Sequence, residues 1–206
     1  MKEIRIYVEG GGDGSDSRAA IRQGFSRFLR SLHDLARAKR SGLKVVLCGP
    51  RQQAYRDFQT ALRANPESLN VLLVDSEEAV SASSPRDHLR NRIHDGWHLD
   101  VADGQVHLMV QVVEAWLIED PDTLAKYYGQ GFRRNALPKA EDVEAVDKTR
   151  LHSALVRATE KTQKNRYHKI THCSELLARI DPGLVRQKAR HCDRMFRDLE
   201  RMIQSL

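Results

Sequence analysis

Five carboxylates in this chain stand where strands are expected to end. Glu9 closes the run Ile4-Arg5-Ile6-Tyr7-Val8 and is followed by Gly10-Gly11-Gly12-Asp13-Gly14. Asp75 and Glu77 follow Val71-Leu72-Leu73-Val74, and Glu114 and Asp120 follow a fourth apolar run. An ionised carboxylate at the end of a buried strand is costly unless it meets a partner or a ligand. Acids from separate strand ends can converge on one edge of a sheet. There they offer hard oxygen ligands to Mg²⁺ (or Mn²⁺), which also takes phosphate oxygens. Such a cation polarises a phosphoryl oxygen and acidifies a bound water, and a second cation can stabilise the leaving oxygen. A Glu9 without a cation could instead act as a general base. Acids also occur past strands as turn formers and helix caps, so each alone has a structural reading. Their recurrence at several strand ends is what favours a cation site.

The elements that must position these acids are legible from periodicity. Ile4–Val8, Leu43–Cys48, Val71–Val74 and Val106–Val112 read as strands. The third is almost continuously apolar, as expected for a parallel strand covered on both faces. A helix is expected from Arg18 towards Lys39, capped by Ser15 or Ser17, with Ile21, Phe25, Phe28, Leu29, Leu32, Leu35 and Ala36 on one face. Further helices are expected at Gln52–Leu62, Arg86–Ile93 and Glu114–Glu119. Asp120-Pro121 then supplies a cap and a first-turn proline for a restart through Tyr128. The alternation of strand and helix predicts an α/β fold, a four-stranded, mostly parallel sheet between helices. Residues 1–130 form this core in the reading. Residues 131–147 form a polar loop or excursion, and residues 148–206 a basic helical region packed on the core, with helices at Leu151–Lys161, Ser174–Arg179, from Asp181-Pro182, and at Asp193–Ile203.

The glycine run after Glu9 could cradle a phosphate at a helix N-terminus. It matches neither Gly-x-Gly-x-x-Gly nor Gly-x-x-x-x-Gly-Lys-Ser/Thr, which disfavours a dinucleotide site or a nucleotide P-loop. Asp13 and Asp16 would repel a phosphate without a cation between them.

Composition narrows the partners. The 206 residues carry a net charge of +6. Residues 150–206 hold 13 Lys/Arg against 6 Asp/Glu, whereas the preceding 149 residues hold 21 against 22. A basic excess confined to the last quarter suggests nucleic acid, DNA or RNA, although a solvated helical surface would also look this way. Lys161, Lys164, Arg166, Lys169, Arg186, Lys188, Arg190 and Arg194 are the candidate phosphate contacts. No apolar run reaches the roughly 18–20 residues that span a membrane. Three cysteines, Cys48, Cys173 and Cys192, build no disulfide framework, and a reducing cytoplasm is expected. His168 and His172 could share a helix face as a zinc pair beside Cys173, His191 and Cys192, but ordinary core and surface roles are favoured. His88, His94, His98 and His107 lie near the acids in sequence without a diagnostic spacing. Trp116, Tyr127 and Tyr128 read as packing residues.

Glu9 followed by Asp75-Ser76-Glu77 resembles the Toprim pattern of a glutamate and a later Asp-x-Asp, with Glu in the last position. The whole chain more closely resembles the Toprim-like family DUF4276. That resemblance is carried by Ile6-Tyr7-Val8-Glu9-Gly10, by Val110-Gln111-Val112-Val113-Glu114-Ala115-Trp116-Leu117-Ile118-Glu119-Asp120-Pro121, and by Tyr167-His168-Lys169 with Ser174–Asp181. It implies a Toprim-like core, distantly similar to OLD-family nucleases. It also implies metal-dependent cleavage of nucleic acid, with an ATPase partner in a phage-defence or mobile-element setting. Glu9, Asp75 and Glu77 would then be the catalytic, metal-holding acids, with Glu114 and Asp120 as further metal ligands. No tyrosine is placed as a topoisomerase nucleophile. The alternative is a non-catalytic module that binds nucleic acid or an ATPase. A small-molecule phosphatase or nucleotide-binding protein rests on the glycine loop alone.

Overall fold

In the computed structural model, which describes residues 3–11 and 14–206, four parallel strands run in the order β2-β1-β3-β4. These are β1 (Glu3–Glu9), β2 (Gly42–Gly49), β3 (Leu69–Asp75) and β4 (Val106–Met109). Gly12 and Asp13 of the glycine-rich loop lie outside the described residues. β1 and β3 take the centre, where Ile6 pairs with Val45 on one side and Val71 on the other. The β pleat then sorts their side chains between two layers. Ile4, Ile6, Val8, Val71 and Leu73 face one core, and Tyr7, Leu72 and Val74 face the other.

Parallel strands need crossovers, and helices supply them. The first crossover is α1 (Ser15–Phe28) and α2 (Arg30–Ala38), and the second is α3 (Arg51–Ala64). The third holds α4 (Pro85–Asn91), whose N-cap Ser84 accepts from the Asp87 amide. The helix expected over Arg18–Lys39 is therefore two, broken at Leu29 without glycine or proline. Tertiary packing explains the break: α1 lies against one C-terminal helix while α2 lies on β2 and another. Ser17 does not supply the cap. Gly14 holds the N-cap position, and Ser17 donates its hydroxyl to the Gly11 and Gly14 carbonyls.

The fourth strand is shorter than its apolar run. It stops at Met109, and the carbonyls of Met109 and Gln111 instead accept the amides of Ser76 and Glu77 at 3.0 Å each. The chain then enters α5 (Glu114–Leu117) and α6 (Pro121–Tyr128). Residues 131–147 hold two short 3₁₀ turns, Arg134–Ala136 and Val143–Ala145. Leu137, Val143 and Val146 nevertheless pack into the core, so this segment is anchored rather than an excursion. Last come α7 (Lys148–Thr159), α8 (Lys169–Leu177), α9 (Pro182–Lys188) and α10 (Arg190–Gln204). They share the first core: Trp116 of α5 stacks on Phe28 at 5.2 Å, and Phe196 of α10 meets Phe28 edge-on. The whole is an α/β layered fold consistent with a Toprim-like arrangement. Among the described residues, no helix is long and apolar enough to cross a membrane.

Candidate functional site

Pairing of β1 with β3 sets Val8 opposite Leu73, so Glu9 and Asp75 end side by side at the carboxyl edge of the sheet. That edge is where ligands sit in open α/β sheets. Glu9 accepts the Asp75 amide at 3.1 Å and the Arg51 guanidinium at 3.2 Å. Asp75 turns to the other layer, accepting the Val113 amide at 3.1 Å and facing the Lys169 ammonium at 3.5 Å. Glu77 joins them from the turn after β3. Its φ of +67° is left-handed, which costs a non-glycine residue roughly 1–2 kcal/mol. Its amide is held by the Gln111 carbonyl, and its carboxylate meets Lys148 Nζ at 2.6 Å. Oxygens of Glu9, Asp75 and Glu77 all lie within 4.8 Å of one another.

The glycines after Glu9 have a positional reason. Gly10 and Gly11 take φ of +120° and +105°, which side-chain-bearing residues rarely adopt. Gly10 exchanges backbone hydrogen bonds with Gly49, folding the end of β1 across β2 and leaving Glu9 at the open edge.

Crowding three acids in a half-buried site is electrostatically unfavourable, and the carboxyls register it. Burial raises the Glu9 carboxyl above its ordinary range, against the opposing pull of Arg51. Asp75 is pushed from 3.8 to about 7, chiefly by burial; Lys169 lowers it, while Glu9, Glu114 and Glu77 raise it further. Burial alone would lower Lys169, but Asp75 and Glu114 outweigh it and hold the ammonium charged. Such a close group of hard oxygen donors, with carboxyls raised by burial and by one another, fits Mg²⁺ or Mn²⁺.

The other two expected acids divide. Glu114 is almost fully buried, accepts the Tyr167 hydroxyl at 3.1 Å, and faces Lys169 at 3.4 Å. It reaches the site through that lysine and is not among the three grouped acids. Asp120 is used elsewhere: it caps α6 by accepting the Thr123 amide at 3.0 Å and ties in the Asp181 amide at 3.0 Å. A carboxylate committed to two helix-end amides is a structural group.

The basic set is also split. Arg186 pairs with Asp193 and Glu200, Lys188 with Glu119, Arg190 with Glu144, and Arg194 with Asp103 and Asp198. Acids on α10, and acids on segments that precede α7, pair with these cations. Lys161, Lys164 and Arg166 lie exposed between α7 and α8, Lys164 over the Tyr127 ring at 4.5 Å. Lys169 alone of the set stands among the acids. The histidine–cysteine cluster disperses as well. His172 accepts the His168 amide and bonds Tyr128, His191 binds Glu144 at 2.7 Å, and Cys192 is buried in the core.

Sequence reasoning missed Arg51. It opens α3 directly after β2 and donates to Glu9, to the Asp75 carbonyl, and in a fork to Asp95 at 3.0 and 2.8 Å. It also lies 4.7 Å over the Trp97 ring. Its position just beyond Gly49-Pro50, at the carboxyl end of a strand, was the available signal. Behind the site, buried His88 donates Nε2–H to the Ser76 carbonyl at 3.1 Å, and burial lowers its pKa below the ordinary imidazole value. No curated protein and no solved structure matches the chain. The model of one family, described as a domain of unknown function (DUF4276), matches residues 8–200, and the chain belongs to that family.

Proposed function

We propose that this protein hydrolyses phosphodiester bonds in nucleic acid with the help of a divalent cation. The observation that carries the proposal is the approach of Glu9, Asp75 and Glu77 oxygens within 4.8 Å at the carboxyl edge of the sheet. These three side chains would hold the cation. Bound Mg²⁺ or Mn²⁺ supplies Lewis-acid polarisation of a phosphoryl oxygen and a more acidic water. Arg51 fixes the Glu9 carboxylate and the end of β3 together, so that the ligand set is preorganised. Lys169, with its side chain half exposed at the same edge, offers a cation to a substrate phosphate. The exposed Lys161, Lys164 and Arg166 can meet the backbone further along.

The test is cleavage of single- and double-stranded DNA and RNA with Mg²⁺ or Mn²⁺. Activity of the wild type that is lost in Glu9→Gln supports the proposal; equal cleavage by both sinks it. Cleavage that requires an added ATPase would support a two-component system of the phage-defence kind.

One observation favours a second reading. Each grouped acid already meets a cationic side chain: Arg51 for Glu9, Lys169 for Asp75, Lys148 for Glu77. A cluster compensated in this way can persist in a non-catalytic module that binds nucleic acid or an ATPase. Binding without cleavage, and without any response to Mg²⁺ or Mn²⁺, would select that reading.

A further inference from the structure

Beside the acids lies a cavity of about 290 Å³ that the proposed hydrolysis does not by itself require. Glu9, Asp75 and Lys169 line one side of it. The remaining wall is largely apolar: Ile21 and Phe25 of α1, Met109 at the end of β4 and Val113 just after it, Cys173 of α8, and Ile170 at the first turn of α8. All but Ile170 are buried side chains; Ile170 is 56% exposed at the rim. Gly10, Gly11 and Gly49 add bare backbone to the lining beside Ser17 and Pro50, and a Cβ added at Gly10 would meet nothing within 4 Å.

We infer that this cavity receives one unpaired nucleobase from the strand whose phosphate lies at the acids; the inference rests on the proposed phosphodiester reading. Polar and apolar groups are segregated here as they are in a nucleotide. The charged side faces where a phosphate would be handled, and the apolar side offers aromatic, sulfur and aliphatic contacts to a flat ring. The volume lies at the lower limit of small-molecule sites, roughly 300–1,000 Å³, which suits one ring system rather than a stacked pair. A base held in a duplex cannot enter such a recess without leaving its stack. The substrate is therefore single-stranded, or carries an unpaired nucleotide at the cleavage point. Apolar walls carry no hydrogen-bond code, so the pocket tolerates different bases.

Fluorescence anisotropy with Ca²⁺ in place of Mg²⁺ tests this with a short labelled strand, its duplex, and strands carrying one abasic nucleotide at successive positions. The wild type should bind the single strand at least about tenfold tighter than the duplex. Val113→Phe, which fills the cavity, and Ile170→Ser, at its exposed rim, should each weaken single-strand binding on the order of tenfold, the scale of one lost base stack. Duplex binding should not change, and the abasic nucleotide should cost a similar factor at one position. Unchanged binding by Ile170→Ser together with no sensitive abasic position overturns the pocket, whether or not Val113→Phe folds. If the wild type still cleaves, only the pocket falls and the hydrolase reading stands. If the pocket variants weaken binding but no substrate is ever cleaved, the pocket stands and the hydrolase reading falls. A nucleoside monophosphate that binds as tightly as the strand would make this a free-nucleotide site and overturn the assignment to a strand.

Discussion

Removing the charge at Asp75 should make the cation-free protein more stable. A rise of the carboxyl from 3.8 to about 7 corresponds to a ceiling of about 4 kcal/mol against folding at pH 8, at 1.36 kcal/mol per pH unit. Local relaxation and entry of water would bring the realised value nearer ~2 kcal/mol. The asparagine of Asp75→Asn retains an oxygen for the Val113 amide, so the backbone contact at 3.1 Å survives. An acid with a raised folded value contributes stability that is full below its unfolded value and lost as pH rises through the folded value. Wild-type stability should therefore decline, relative to the variant, between about pH 4 and pH 8. For a chain of this length, ~2 kcal/mol is a Tm difference of roughly 4–8 °C. Scanning calorimetry in a chelating buffer, from pH 4.5 to 8.5, measures it. The difference should be largest at the alkaline end and vanish at the acidic end. A variant no more stable than wild type at pH 8 would show that Lys169 and Arg51 already compensate the acids, and would refute the poised-site reasoning.

The remaining expectations concern the groups around this edge. Mg²⁺ at about ten times its Kd should stabilise the wild type by ~1.4 kcal/mol, more at pH 8 than at pH 6 because Asp75 must lose its proton, and should leave Glu9→Gln unmoved in a thermal-shift titration. Arg51→Ala leaves Asp95 and Glu9 without their shared partner and should cost about 3 kcal/mol in urea unfolding, with Arg51→Lys recovering only part of it. Gly24→Ala would bring its Cβ to 2.6 Å from the Ser174 carbonyl, forcing α8 away from α1. A loss of about 1–3 kcal/mol is expected, together with weaker Mg²⁺ stabilisation because α8 carries Lys169. Buried His107 is depressed to about 4, chiefly by burial, so its contribution is full above about pH 6.5 and lost as pH falls through 4. His107→Phe should flatten that acid limb of the stability curve.

Period-two patterns and the near-continuous apolar run of β3 were enough to place four strands and their crossovers, because burial on one or both faces dictates side-chain type locally. Glu9 and Asp75 were visible for the same reason: each closes an apolar run and stands out against its neighbours. Periodicity could not show the break at Leu29, because both halves of the run bury the same kind of residue and only their different packing partners separate them. The buried residues within 131–147 escaped notice because they are few and irregularly spaced. For Arg51 the sequence offered only its place just past a strand end, and the partners of Arg51, Asp95, Lys148 and Lys169 could not be read, since each meets its ion-pair partner across 42 to 94 residues of chain and no local pattern encodes such a meeting.

The amino-acid sequence by itself determined the α/β layering and the acids at two separate strand ends, because those follow from burial periodicity along single segments; that the two strands are neighbours came from the sheet. Only the tertiary structure decided that Glu77 joins them while Asp120 becomes a helix cap, and that Lys169 is a site residue while Arg186, Lys188, Arg190 and Arg194 are tied up in ion pairs. The physical reason is that a charge has no function until its neighbours are fixed. An acid beside two free amides is a cap, and the same acid beside two other acids is a place for a cation.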